Sequence, residues 1–123
     1  MTAKIFIDGA AGTTGLEIRE RLAARGDLTV VALPEAERKD QAARARALNA
    51  ADLVILCLPD DAARQAVSLI ENPDVRVIDA STAHRVAEGW AYGFPELEPE
   101  GYDRVAASSR VANPGCWATG FLA

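Results

Sequence analysis

The first twenty-five residues restrict the fold more than any other stretch. Lys4 to Asp8 is a short apolar run with β-branched residues, followed at once by Gly9-Ala10-Ala11-Gly12-Thr13-Thr14-Gly15. Behind it, Leu16 to Arg25 has helical spacing, with Leu16, Ile18, Leu22 and Ala23 on an inner face and Glu17, Glu20, Arg21 and Arg25 outside. Gly26 is placed to terminate that helix. Strand, glycine-rich turn and helix in immediate succession is the context that gives a dinucleotide fingerprint its meaning. The glycines allow a tight turn and a close backbone approach, so that a pyrophosphate can rest on the helix N-terminus. Gly9, Ala11, Gly12, Thr13, Thr14 and Gly15 are therefore candidate cofactor-binding residues. The spacing is G-x-x-G-x-x-G rather than the commoner G-x-G-x-x-G, and glycines can serve loop geometry alone. The position directly behind the first strand favours a nucleotide.

The rest of the chain continues the alternation. Leu28 to Leu33 reads as a second strand ending at Pro34, with Glu35, Arg38 and Lys39 beyond it. An acid at this point would hold the ribose hydroxyls of NAD, whereas an arginine would accommodate the extra phosphate of NADP. Both types are present, so the residues leave the choice open. Asp40 to Ala50 suits a short exposed helix. Asp52 to Leu58 is a continuous apolar run bounded by Pro59, as a central parallel strand reads when both faces are covered. Cys57 within it reads as a buried, inert thiol. Asp60 to Glu71 is expected to be helical with Ala63, Ala66, Val67 and Ile70 on one face, and Val75 to Asp79 to be another strand. The pattern predicts a Rossmann-like, doubly wound α/β fold with an open parallel sheet.

The alternation stops at Ala80. Ser81-Thr82-Ala83-His84-Arg85 follows the C-terminal end of a strand, where open α/β sheets bind ligands. Arg85 is suited to a phosphate or carboxylate held bidentately. His84, the only histidine, directly precedes it in an irregular segment; a lone histidine can act as a general base, but a structural or incidental role is favoured here. Gly89 to Gly101 reads as an ordered loop and Arg104 to Ala107 as one more strand. Cys116 then follows Asn113-Pro114-Gly115, near the first turn of a helix beginning at about Trp117. Unpaired N–H groups and the positive dipole end there favour thiolate, which makes a nucleophile. Position alone leaves a small buried cysteine equally open; the glycine-rich turn at the other end of the chain tips the balance.

Composition narrows the partners. The 123 residues suffice for one domain and its core. Thirteen basic and eighteen acidic residues give a net charge of −5 with no basic block, which argues against nucleic acid. No apolar run approaches the ~20 residues that span a bilayer, and the N-terminus is not a signal peptide. Two distant cysteines point to reduced thiols and a cytoplasmic protein. No metal site is expected.

Five segments in order carry a resemblance: Gly9 to Gly15, Leu58-Pro59, Val77 to Arg85, Tyr92-Gly93-Phe94-Pro95-Glu96-Leu97, and Asn113 to Thr119. They resemble the acyl-phosphate reductase group that includes aspartate-semialdehyde dehydrogenase and N-acetyl-γ-glutamyl-phosphate reductase, the last two segments looking most like the latter in its shorter variant. The resemblance implies NADPH-dependent reduction of N-acetyl-γ-glutamyl phosphate to the semialdehyde in arginine biosynthesis. Cys116 would be the nucleophile and Arg85 and Asn113 would contact the substrate phosphate. Arg38, Pro59 and Ser81 would join the glycine turn at NADP(H). It also implies an NAD(P)-binding domain over residues 1–109, a nucleophile segment over 110–123, and homo-oligomers of the full-length enzyme. In the related enzymes a second, catalytic and dimerising domain follows the cysteine and supplies the general acid/base histidine. This chain stops at Ala123, so it is expected to be either an N-terminal fragment of the enzyme or a natural truncation, inactive or nearly so alone. Trp117 replaces the family's more frequent Tyr. The alternatives are aspartate-semialdehyde dehydrogenase or a related reductase, a nucleotide-binding module without chemistry, and an oligomerising domain that binds nothing.

Overall fold

The sheet is organised around β1, Ala3–Asp8, whose residues alternate between two cores: Phe6 on one side, Ile5 and Ile7 on the other. The computed structural model describes residues 3–9, 13–81, 83–84, 89–92 and 107–112. Within them lie five further strands, β2 (Leu28–Val31), β3 (Leu53–Leu56), β4 (Arg76–Asp79), β5 (Ala91–Tyr92) and β6 (Arg110–Ala112). The spatial order is β2-β1-β3-β4-β6-β5 and every pairing is parallel. No helix among the described residues is long and apolar enough to cross a membrane.

Three helices cover the sheet. Helix α1 (Thr13–Ala23) lays Ile18 and Leu22 against Ile5, Ile7 and Ile55. Helices α2 (Gln41–Ala50) and α3 (Asp60–Leu69) lie on the opposite face, where Leu48, Ala63 and Ala66 pack on Phe6, Val54, Leu56 and Val77. The fold is thus doubly wound, which explains why β3 reads Leu-Val-Ile-Leu without a polar residue. Burying Phe6, Leu48 or Leu56 stabilises the fold by about 1.5–3 kcal/mol each.

Local chemistry sets the element ends. Asp40 caps α2 by accepting from the Ala42 N–H at 3.0 Å. Pro59 precedes α3 with φ −59°, the value its ring fixes, and Asp60 and Asp61 place negative charge at the positive end of the helix dipole. Asn49 ties the ends of α2 and α3 together. Its amide donates to the Ala45 and Leu69 carbonyls at 2.8 and 2.9 Å and accepts from the Glu71 and Asn72 N–H groups at 2.7 and 2.9 Å. At the other side of the sheet, Arg110 donates to the Val75 carbonyl at 2.6 Å and Arg76 to the Ser108 carbonyl at 2.9 Å, holding β6 beside β4.

Four local expectations are corrected. Leu16 is 47% exposed rather than inward, and Ala23 is exposed too, because the inner stripe of α1 runs through Gly15, Ile18 and Leu22, and Leu16 stands about 200° around the helix from Ile18. Helix α1 ends at Ala23, and Gly26 has no left-handed φ, so it is not a glycine cap. Helix α2 is not simply exposed: Ala43 and Leu48 are buried, one leucine among alanines being enough to seat it on the sheet. The last strand lies at Arg110–Ala112, with Ala107 outside it, and β5 occupies part of the expected loop. Residues 104–106 and 93–101 lie outside the described residues.

Candidate nucleotide-binding site

The C-terminal edge of the sheet carries the site. Strand β1 ends at Asp8, and Gly9 turns the chain with φ +89°. A Cβ on Gly9 would stand 2.3 Å from the Cys57 carbonyl oxygen. The Cys57 N–H also donates to the Asp8 carbonyl at 2.9 Å. Only glycine permits both this φ and this approach of β1 to β3. Thr13, Thr14 and Gly15 then form the first turn of α1, whose backbone N–H groups have no partners inside the helix. Ala11 and Gly12 lie outside the described residues.

Beside this turn a cavity of about 260 Å³ opens on the face covered by α2 and α3. Asp8 and Gly9 from the end of β1 and Cys57 and Leu58 from the end of β3 form two of its sides, and Arg38, Arg44 and Ala62 complete it. Arg38 comes from the segment behind β2 and donates its Nε to the Leu33 carbonyl at 3.3 Å. Glu35 sits in the short turn Glu35–Glu37 and, like Lys39, does not line the cavity. Arg44, on the first turns of α2, donates from Nη2 to Asp8 Oδ2 at 2.8 Å, the two side chains being 12% and 9% exposed. Its Nε is buried without a hydrogen-bond partner, a deficit of about 1–3 kcal/mol for a buried donor. Pro59, at the start of α3, stands directly behind Leu58.

The second polar cluster lies at the end of β4. Asp79 is fully buried and opposite Leu56 and Ala112 in the sheet. It accepts from the Ser81 N–H at 2.8 Å, the Ser81 hydroxyl at 2.9 Å and His84 Nδ1 at 2.5 Å. The His84 ring stacks on Trp90 with centroids 4.1 Å apart and 14° between planes. His84 is thereby buried between Asp79 and Trp90, and Ser81 is held by Asp79 at the strand end. Cys57, half-buried, has its thiol pKa raised by burial first and then by the charges of Asp8 and Asp79, so it stays a poor nucleophile at neutral pH. Arg85, Asn113 and Cys116 lie outside the described residues; Ala112, the last one before 113–123, is at this same edge of the sheet.

The residues present fit a dinucleotide. A glycine turn and helix N-terminus suit a pyrophosphate, Leu58 and Ala62 offer apolar walls, and two guanidiniums, Arg38 and Arg44, stand at the cavity. A larger groove of about 420 Å³ beneath α1 does not fit, being walled by Ile18, Leu22, Ile55, Ile78 and Ala80, with Glu17 and Arg21 spent on each other at its rim. Among the described residues no group of three or more His, Cys, Asp or Glu is placed to hold a metal ion. Sequence reasoning passed over Asp8, Arg44 and Asp79. The available signal was a carboxylate closing an apolar strand in Ile-Asp-Gly and again in Ile-Asp-Ala.

A parallel, doubly wound sheet with a glycine turn at its first strand end defines the class of dinucleotide-binding α/β domains. Residues 4–105 match the family described as semialdehyde dehydrogenase, NAD binding domain, and the chain belongs to it. Over 123 residues it is 63% identical to the N-acetyl-gamma-glutamyl-phosphate reductases of Chelativorans sp. (strain BNC1) and of Mesorhizobium japonicum. Over 122 residues it is 59% identical to N-acetyl-gamma-glutamyl-phosphate reductase 2 of Pseudomonas putida. These alignments take in 99–100% of the chain but only 39–40% of each relative, so the chain spans about two fifths of their length. Among solved structures, aspartate semialdehyde dehydrogenase II from Vibrio cholerae superposes with a TM-score of 0.67 at 18% identity, over 99% of this chain and 44% of that one. The enzyme from Francisella tularensis gives 0.68 at 14%, over 93% and 36%. At such identities the likeness is one of fold.

Proposed function

We propose that this chain is the nucleotide-binding part of an NADPH-dependent N-acetyl-γ-glutamyl-phosphate reductase of arginine biosynthesis. The observation that carries the proposal is the 63% identity over an alignment of 123 residues, which takes in the whole chain. Residues 1–109 form the NAD(P)-binding domain in this proposal. Residues 110–123 start as β6 and continue into the nucleophile segment. The reaction belongs to the whole protein, of which the relatives' length makes this chain about two fifths.

In that reaction Cys116 attacks the acyl phosphate as thiolate, the carbonyl carbon forms a bond to sulfur, and phosphate leaves. Arg85 and Asn113 hold the departing phosphate group. When bound, NADPH supplies the hydride that reduces the Cys116 thioester, and thiolate is regenerated as the aldehyde is released. Gly9, Ala11, Gly12, Thr13, Thr14 and Gly15 receive the cofactor's pyrophosphate, Pro59 and Ser81 flank it, and Arg38 favours NADPH over NADH. A soluble, cytoplasmic homo-oligomer acting on a small acyl phosphate, without nucleic acid or membrane, completes the proposal.

The test is the protein produced from its natural reading frame, incubated with NADPH and either N-acetyl-γ-glutamyl phosphate or β-aspartyl phosphate. Oxidation of NADPH and release of phosphate with the first substrate, both abolished in Cys116→Ser, is the expected result. Turnover of the aspartyl compound alone would move the protein to the neighbouring enzyme class. A Cys116→Ser variant as active as wild type would refute the thioester route.

A further inference from the structure

We propose that His84 and Trp90 form a clasp, anchored on the Asp79 carboxyl group, that positions Arg85 for the acyl-phosphate substrate. This rests on the reaction proposed above and adds positioning residues to it. The anchor is the end of β4. Asp79 is fully buried between Leu56 and Ala112 in the sheet, and Ala112 leads into Asn113 and Cys116. Burying a carboxyl group opposes folding unless its oxygens are met. Here the segment just behind it meets both. The Ser81 N–H donates to Oδ1 at 2.8 Å, and the Ser81 hydroxyl and His84 Nδ1 lie 2.9 and 2.5 Å from Oδ2. Ser81 Oγ accepts in turn from the Ala83 N–H at 3.2 Å. One carboxyl group thus holds Ser81 and His84 directly and Ala83 through Ser81, and His84 stands one position before Arg85.

The other end of the same segment is held as well. Trp90 packs on the core that contains Phe6 and Val77, and it leads directly into β5. Tyr92 of β5 pairs with Ala112, in the row that also contains Asp79. Gly89, at φ +84°, turns the chain into Trp90. The His84 and Trp90 rings then meet face to face, 4.1 Å apart and 14° from parallel. Residues 85–89 therefore start and finish at two points joined by one ring contact. A short span closed in this way has few conformations open to it. Arg85 is its first member. A guanidinium grips a phosphate through two parallel N–H bonds, which demand a set direction as well as a distance. Misplacement by about 1 Å can cost about 10²-fold in rate.

The experiment is a double-mutant cycle on the protein from its natural reading frame. Its readouts are kcat/KM for N-acetyl-γ-glutamyl phosphate and the dissociation constant of NADPH. The members are wild type, His84→Phe, Arg85→Gln and the double variant. His84→Phe keeps a ring for Trp90 and loses the contact with Asp79. Alone it should lower kcat/KM about ten- to hundredfold, with NADPH affinity within about twofold of wild type. In the Arg85→Gln background it should cost less than about twofold, because nothing remains to be positioned. Trp90→Leu keeps the Asp79 contact and loses the stack. It should repeat the pattern, and it decides the matter should His84→Phe not fold. Equal losses in both backgrounds, or an NADPH affinity that falls along with kcat/KM, would show a general structural role and overturn the proposal while leaving the reductase reading standing. Full activity in both His84→Phe and Trp90→Leu would do the same. An Arg85→Gln variant as active as wild type overturns the proposal together with the part given to Arg85. No turnover by wild type overturns the reaction and the clasp alike.

Discussion

Replacing Gly9 by alanine tests the geometry of the site most directly. Two separate costs are expected. The first is conformational: φ +89° is a backbone state that costs an L-residue about 1–2 kcal/mol. The second is a collision. The new Cβ would lie 2.3 Å from the Cys57 carbonyl oxygen, where real Cβ contacts begin at 3.0 Å, so a gap of at least 0.7 Å (3.0 − 2.3) must be opened. The obstacle is backbone, and it is tied down: Cys57 donates to Asp8, and β3 is paired on both sides. Overpacking against an element that cannot yield costs about 1–3 kcal/mol. The sum is about 2–5 kcal/mol. Gly89 supplies the control, since its φ is +84° but a Cβ there would meet nothing within 4 Å. Gly89→Ala should therefore show the conformational cost alone. Urea denaturation of the two variants beside wild type, followed by circular dichroism, measures the difference, and NADPH titration reports whether the displaced β1–β3 edge still binds. Equal stabilities of Gly9→Ala and Gly89→Ala would refute the close approach of β1 to β3.

Three further outcomes are expected. Alkylation of the native protein at pH 7 should label Cys116 before Cys57, whose rate should keep climbing above pH 9, because its raised pKa leaves little thiolate below that; peptide mass mapping that finds Cys57 modified first would contradict its burial. Asp79→Ala should cost about 3 kcal/mol or more in urea denaturation, since Ser81 and His84 lose a shared buried acceptor, and a loss under 1 kcal/mol would show that the cluster is not held by Asp79. Asn49→Ala, which removes three hydrogen bonds from α2 to the end of α3 and one within α2, should lower stability by about 2 kcal/mol, with faster amide exchange in Glu71 and Asn72 as the local signature.

What was legible before any coordinates followed from local chemistry. Gly9 had to be glycine for a turn at the end of Lys4–Asp8, and it is. The apolar run through Leu53–Leu56 had to be covered on both faces, and α1 lies on one side with α2 and α3 on the other. The inward face of α1 was misjudged at Leu16 and Ala23, which are exposed: at about 100° per residue Leu16 stands about 200° from Ile18, and Ala23 stands about 100° from Leu22. The strand Arg110–Ala112 was not read, since three residues carry no period, and residues 104–106 of the expected strand lie outside the described residues.

Sequence by itself determined the alternation of strands and helices, the glycine turn behind the first strand, and hence the parallel α/β class. Each of these depends on neighbours a few residues apart. Tertiary structure alone decided that Arg44 meets Asp8, that Arg38 but not Glu35 reaches the cavity, and that Asp79 gathers Ser81 and His84. The reason is physical. A charged residue on a helix that looks exposed in sequence is buried or free according to which strand end the sheet's register brings beneath it, and that register is a property of the assembled sheet.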